Sequence, residues 1–157
     1  MIDWLLAGDV AVAYQTTRDL LHRADPGLRE RIAHEGAGAA LLAARRPDGH
    51  WGRGFYQPKW TSTHYTLLEL RDLGLPPSHP AARASVALVL ATNKARDGGV
   101  DPRPDAPASD TCINGMALNY ASYFGATEGQ LESLVDCLLA GRVGDGGFNC
   151  RLRPTQP

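Results

Sequence analysis

Apolar residues recur at helical spacing along most of the chain. In residues 9–23, Val12, Thr16 and Leu20 follow one another at four-residue intervals behind Asp9, a residue type that often caps helices. Further periodic segments begin at a capping residue or a proline, namely at Asp25-Pro26, at Thr61 or Ser62, at Pro80, at Asp110 and at Thr127. No stretch of four or more residues alternates between apolar and polar types as a strand would. The pattern therefore predicts an all-α protein.

The predicted helices end at glycines, at prolines or in polar loops. Their expected extents are 9–23, 26–45 with a break near 36–38, 61–73, 80–95, 110–124 and 127–140. Gly74 and Gly125 are expected to stop the helices before them, because glycine readily takes the left-handed conformation that ends a helix.

Asp-Gly pairs separate these helices at nearly equal intervals. Asp48-Gly49, Asp97-Gly98 and Asp145-Gly146 lie 49 and 48 residues apart. A fixed period with one helix pair per unit is typical of helical repeats, whose neighbours complete one another's cores. The sequence thus predicts one domain over residues 1–157, with repeat turns near 48–52, 97–100 and 145–148.

The residue types predict the structure of each turn. Glycine supplies a positive φ that ends the preceding segment, and the aspartate binds backbone amides within the turn. The aromatic residue that follows, Trp51 or Phe148, is expected to pack beneath the connection. A plain turn with an aromatic anchor needs no ligand.

The order of the motifs resembles a known superfamily. The segments DGHWG, CINGM, YFGA and DGGFNC, in this order, resemble bacterial prenyltransferase/squalene-oxidase repeat proteins, which are squalene-cyclase-like. These belong to the terpenoid cyclase and protein prenyltransferase superfamily. The resemblance implies an α/α toroid, in which helical hairpins surround an apolar cavity. Relatives of this kind are expected to be longer, so the chain corresponds to an N-terminal half-toroid of about three repeats.

A half-toroid by itself would expose the apolar faces of its inner helices, and large apolar patches are rarely left uncovered in monomers. We therefore expect either a homodimer or a missing C-terminal half. Residues 151–157, RLRPTQP, look unlike the body of the chain, and their prolines disfavour a continuing helix. They are expected to form a disordered or non-native tail.

The Asp-x-Cys motif at residues 110–112 resembles the zinc pair of the protein prenyltransferases. In that family an aspartate and a cysteine of one helix, with a histidine of a later repeat, hold a zinc ion that activates a thiolate. The resemblance implies Asp110 and Cys112 as zinc ligands, with His64 as the candidate third ligand and His50, Cys150 or a partner chain as alternatives. Without a metal, Asp110 would be a helix cap and Cys112 a small buried residue.

An isoprenoid ligand would need an apolar pocket with aromatic walls, whose π faces stabilise cations. The candidate lining residues on or near the predicted inner helices are Trp60, Tyr65, Asn114, Asn119, Tyr120 and Tyr123. The two asparagines would need polar partners if they faced inward. At helical spacing, the aromatic residues could equally be ordinary core residues.

Composition limits the classes of partner. The chain is 43% hydrophobic and 21% charged, which is typical of globular proteins, and its net charge of −1 with no run of basic residues argues against a nucleic-acid surface. No apolar run approaches the length of a membrane span, and no basic segment precedes an apolar one as in a signal peptide. Three cysteines are too few for a secreted disulfide scaffold, so a cytoplasmic protein is expected.

Two functions of different classes fit these features. The first is an enzyme-like toroid protein that handles an isoprenoid or another apolar small molecule, with or without zinc, as a prenyltransferase- or cyclase-like transferase, lyase or isomerase. Asp110 is its candidate catalytic residue, but Ala108 and Ser109 occupy the positions where class II cyclases carry further acids. The second is a non-catalytic half-toroid that binds a hydrophobic ligand or only dimerises.

Overall fold

Helices make up most of residues 1–150, the part of the chain that the computed structural model describes. The α-helices are α1 (Ile2–Leu6), α2 (Val10–Gln15), α3 (Pro26–Arg31), α4 (Gly36–Ala43), α5 (Thr63–Leu73), α6 (Pro80–Thr92), α7 (Thr111–Tyr123) and α8 (Glu128–Ala140). A π-helical turn, Thr16–Leu20, continues α2. Within these residues no strand forms beyond isolated bridges. The all-α prediction is confirmed, whereas the predicted tail at residues 151–157 lies outside the described part.

Three of the local start and stop signals act as predicted. The Asp9 carboxylate accepts the amide of Ala11 at 2.8 Å at the start of α2, and Asp25 accepts the amide of Leu28 at 2.9 Å at the start of α3. Gly74 ends α5 with a φ of 89°.

Several predicted boundaries are wrong. The segment expected as one helix from residue 26 is broken earlier, at residues 32–35, and Gly36 begins α4 instead of lying in the break. Gly36 has a φ of +60°, and a Cβ there would collide with the Asp9 carboxylate, which also accepts the amide of Ala37 at 2.9 Å. This contact with α2 sets the start of α4, and a local pattern does not reveal it. Helix α6 ends at Thr92, three residues early, and α1 was not predicted.

The longer helices form two rows. Helix α5 packs against both α2 and α7, which places these three helices side by side. Helix α4 contacts α2 and α5, α6 contacts α5 and α7, and α8 contacts α7. Fully buried side chains fill the space between the rows, among them Leu67, Leu70, Val89, Tyr120 and Leu134. The described residues thus form a two-layer helical array, and the closed toroid stays a prediction.

The three Asp-Gly turns share one backbone geometry. Each glycine has a φ of 88°, and each aspartate accepts the amide two residues further on, at 3.1, 3.2 and 2.8 Å in chain order. In each turn the amide two residues before the aspartate donates to the carbonyl two residues after it, at 2.8 to 2.9 Å. The predicted aspartate–amide bonds and the positive φ of the glycine are confirmed in all three turns, but the glycines do not end the preceding helices, which stop earlier, at Ala43, Thr92 and Ala140.

The residues that follow the turns differ in burial. Trp51 is 2% exposed, and its indole Nε1 donates to the carbonyl of Leu41, so the predicted aromatic anchor is confirmed there. Phe148, the counterpart in the third turn, is 49% exposed, and the same prediction is wrong for it. The amide of Trp51 donates to Thr63 of the next helix, whereas the described residues contain no helix after Phe148.

Candidate functional site at the start of helix α7

Asp110 and Cys112 lie at the N-terminal end of α7. Asp110 occupies the N-cap position, but its side chain makes no capping hydrogen bond. Cys112 is exposed, so the alternative in which it is a small buried residue is wrong. Burial of the thiol itself, followed by its interaction with the Cys150 thiol, raises the pKa of Cys112. The start of α7 therefore presents a protonated thiol beside a carboxylate that is not used for capping.

An apolar groove of about 470 Å³ runs from this point between α7 and α8. Its lining residues are Thr111, Cys112, Gly115, Leu118, Val135, Leu138, Leu139, Phe148 and Cys150. Leu139 is 59% exposed. The space in front of Gly115 is open, because a Cβ built there meets no atom within 4 Å. This groove, which we call the α7–α8 groove, was not predicted from the sequence.

His64 lies in a different environment from Cys112. Its side chain is fully buried in α5, with Nδ1 3.4 Å from the Tyr120 hydroxyl and with no hydrogen-bond partner for Nε2. The rings of Phe55, Tyr65 and Tyr120 meet the imidazole edge-on at centroid distances of 5.1 to 5.6 Å. Burial in these aromatic surroundings lowers the pKa of His64 to about 4. The imidazole is therefore neutral at neutral pH.

Tyr56 packs against His64. Its ring centroid is 5.5 Å from that of His64, and its hydroxyl is 2.9 Å from the Tyr65 hydroxyl. Burial, the hydrogen bond to Tyr65 and the charges of Cys112 and Asp110 all raise the pKa of Tyr56. Tyr56 is therefore a neutral phenol that forms part of the aromatic surroundings of His64.

The structure does not gather the candidate zinc ligands into one cluster. Among residues 1–150, no group of three or more His, Cys, Asp or Glu side chains is arranged to hold a metal ion. A neutral imidazole, a thiol and a carboxylate are suitable zinc ligands chemically. Asp110 and Cys112 are neighbours, and His64 is enclosed by aromatic rings, so the zinc site stays a prediction.

The six predicted pocket residues do not line one cavity. Trp60 and Tyr65, with ring centroids 4.8 Å apart, border a separate surface groove beside α5. Tyr120 is fully buried in the core, and the Tyr123 hydroxyl donates to the carbonyl of Leu75 at 2.7 Å. None of these four side chains lines the α7–α8 groove.

The two asparagines of α7 differ. Asn114 is buried, and it accepts the amide of Val100 at 2.7 Å and donates to the Ser109 hydroxyl at 2.6 Å, so its expected polar partners belong to the chain itself. Asn119 is exposed, which corrects its assignment to an inward-facing pocket. A spacing of five residues places two side chains about 140° apart around a helix. Helix α7 therefore cannot bury both asparagines against one neighbouring helix.

A polar network that the sequence did not predict holds the preceding loop onto α7. Asp97 accepts the Ser109 amide at 2.7 Å, the Ser109 hydroxyl at 3.0 Å and the Gly99 amide at 3.2 Å. Burial alone would raise the pKa of Asp97, but these hydrogen bonds outweigh it and hold the pKa below its usual value. The network fixes Ser109 and, through it, the position of Asp110. The repeated aspartate is the signal in the sequence, but its pattern predicts contacts only within its own turn.

In the described part of the chain, no helix has both the length and the apolar character needed to cross a membrane. The cytoplasmic location stays a prediction.

In comparisons with known proteins, no protein-family model, no curated protein and no solved structure matches the chain.

Proposed function

We propose that this chain is a squalene-cyclase- or prenyltransferase-like helical repeat protein that binds an apolar, isoprenoid-like molecule in the α7–α8 groove. The observation that carries the proposal is the groove itself, a concave and mainly apolar surface that includes the Cys112 thiol and begins at Thr111, the residue after Asp110. The three equivalent Asp-Gly turns between two rows of helices support the assignment to a toroid-type fold.

The size and the chemistry of the groove suit this ligand class. Small-molecule sites in proteins occupy roughly 300–1,000 Å³ and are lined mainly by apolar side chains with few polar groups. The groove falls in this range at about 470 Å³, with leucine, valine and phenylalanine along its walls. The start of α7 supplies the polar end, so a ligand with an apolar chain and a polar head would bind with its head near Asp110.

Titration with farnesol, an isoprenoid alcohol, tests the proposal. Gly115→Leu places a side chain in the groove, at a position where an added Cβ meets no atom within 4 Å. Gly129→Leu in α8 is the matched control, since a Cβ there also meets no atom within 4 Å and Gly129 lies outside the groove. We expect saturable binding by the wild type and by Gly129→Leu, with affinity lowered at least about tenfold in Gly115→Leu. Absent binding, or equal binding by all three proteins, would contradict the proposal.

A zinc-dependent activity is the second candidate, because Cys112 is exposed at the end of the groove rather than buried. Zinc bound by Asp110 and Cys112 would hold a thiolate where the polar end of a ligand lies. The zinc content of the purified protein is the test. We expect stoichiometric zinc that is lost in Cys112→Ala, and a metal-free wild type would reject this candidate while leaving farnesol binding unaffected.

Dimerisation is the alternative use of the same surface. Leu139 and Phe148 at the groove are exposed, large apolar side chains that a second copy would cover. Sedimentation equilibrium separates the alternatives. A dimer that Gly115→Leu dissociates, without farnesol binding, would favour association of two copies over ligand binding.

A further inference from the structure

Two of the three cysteines line the α7–α8 groove. Cys112 belongs to the first turn of α7, and Cys150 follows the third Asp-Gly turn. Both side chains are exposed, and both line the groove. After burial, interaction with the Cys150 thiol is the next cause of the raised pKa of Cys112. A disulfide requires two accessible thiols that can approach each other, and these two cysteines line the same groove.

The third cysteine is not a competitor. Cys137, in α8, is only partly exposed, and its sulfur is 3.5 Å from the Ser109 hydroxyl and 3.8 Å from the Asn114 amide nitrogen. These contacts direct it toward the polar network behind α7, not into the groove. The chain therefore separates its cysteines into one interior thiol and one exposed pair.

We propose that Cys112 and Cys150 form a reversible intramolecular disulfide that fastens the segment after the third turn to the start of α7. The oxidant is a peroxide or another small oxidant of that class. The bond is a property of the two side chains and does not depend on a ligand in the groove.

The reaction balances with hydrogen peroxide. The sulfur of one cysteine, as thiolate, attacks one peroxide oxygen, so that an S–O bond forms and the O–O bond breaks, and the released hydroxide takes a proton to become water. The second sulfur, after losing its proton, attacks the first sulfur, so that the S–S bond forms and the S–O bond breaks. The leaving hydroxide takes that proton as the second water. The two thiols lose two electrons, and the peroxide gains them.

The bond would change the mobility of the end of the described chain. The turn at residues 145–148 and Phe148 are held near α7 by packing against the groove and by contacts within the turn itself. A covalent link between residues 112 and 150 would restrict this segment directly, because it closes a loop of the chain. The disulfide would also hold Phe148 at the groove.

Peptide mapping of the full chain tests the proposal. The protein is treated with a chelator, so that bound metal cannot mask Cys112, and is then oxidised with dilute peroxide, alkylated and digested with trypsin. Cleavage at arginines leaves Cys112 and Cys137 together in the peptide 97–142 and leaves Cys150 in the peptide 143–151. The mapping therefore uses the Cys137→Ser variant, in which Cys112 is the single cysteine of the first peptide. We expect these two peptides to be joined until a reductant is added, with the intact mass lowered by two hydrogen atoms.

Single variants supply the controls. In Cys112→Ser and in Cys150→Ser, the mass loss and the joined peptide should both disappear, while wild type and Cys137→Ser should behave alike. The proposal is overturned if the oxidised protein retains two alkylatable thiols at 112 and 150, if Cys137 is the partner, or if oxidation only links separate chains. None of these outcomes depends on farnesol binding or on zinc, so the proposed function fails or holds independently.

Discussion

His64 makes a specific contribution to the pH dependence of stability. The imidazole is buried among aromatic rings, and this burial lowers its pKa from 6.5 to about 4. In the unfolded chain His64 takes up a proton as the pH falls below about 6.5, whereas in the folded chain it stays neutral until the pH approaches 4. Between these values the unfolded state binds more protons, so the free energy of unfolding falls as the pH is lowered.

The size of the effect follows from the two pKa values. A difference of one pKa unit corresponds to about 1.4 kcal/mol, so the full loss between neutral pH and pH 4 is about 3 kcal/mol. At pH 5 the expected loss is about 2 kcal/mol, because the folded imidazole is still mostly neutral while the unfolded one is protonated. Below pH 4 both states are protonated, and the contribution of His64 becomes constant.

Urea unfolding of wild type and of His64→Gln between pH 7 and pH 4.5 measures this contribution. Glutamine does not titrate, and the carboxylates are common to both proteins, so they cancel in the difference between the two unfolding free energies. We expect the variant to be less stable at pH 7 and the difference to shrink by about 2 kcal/mol on going to pH 5. NMR titration of the His64 ring gives its folded pKa independently. A constant difference across this range, or a ring that titrates near 6.5, would refute the assignment of a buried neutral imidazole.

Two further predictions concern turns and glycines. Asp97→Ala removes an acceptor of three hydrogen bonds and should lower the free energy of unfolding by about 2–3 kcal/mol. In Asp145→Ala, the lost carboxylate accepts one amide in an exposed turn, so the expected loss is less than about 1 kcal/mol. Urea unfolding measures both losses, and equal losses would show that the Asp97 network is unimportant for stability. Gly38→Ala should destabilise the protein by about 1–3 kcal/mol, because the new Cβ would collide with the Ile32 carbonyl. Gly115→Ala should stabilise α7 by about 0.5–1 kcal/mol, because the space there is open and alanine favours a helix more than glycine does. Melting temperatures of the two variants that shift in the same direction would contradict the packing around Gly38.

Local signals predicted much of the secondary structure. The caps at Asp9 and Asp25, the stop at Gly74 and the three Asp-Gly turns depend on contacts within a few residues, and such contacts are encoded where they occur. The boundary at Gly36 was missed because it depends on Asp9, which is distant in sequence. Helix α1 was missed because five residues are too few for a clear periodic pattern.

The candidate site was predicted less well than the fold. The motif containing Asp110 and Cys112 was recognised, but its relation to His64 depends on how α5 packs against α7. Burial of Asn114 and exposure of Asn119 also depend on that packing, although their spacing around the helix excluded a common direction. The α7–α8 groove is lined by residues of two helices and of the segment after the third turn, and because only packing brings these together, no local pattern predicts the groove.

The sequence by itself determined the helical class of the chain, the start of most helices and the shared conformation of three turns. These properties follow from backbone preferences and from hydrogen bonds over a few residues. Only the tertiary structure decided which of the chemically similar residues are buried. Trp51 and Phe148 follow equivalent turns, yet Trp51 is buried with hydrogen bonds to α4 and to the start of α5, whereas Phe148 faces an open groove. Burial, and with it the pKa of His64 and the accessibility of Cys112, is set by distant segments that pack together.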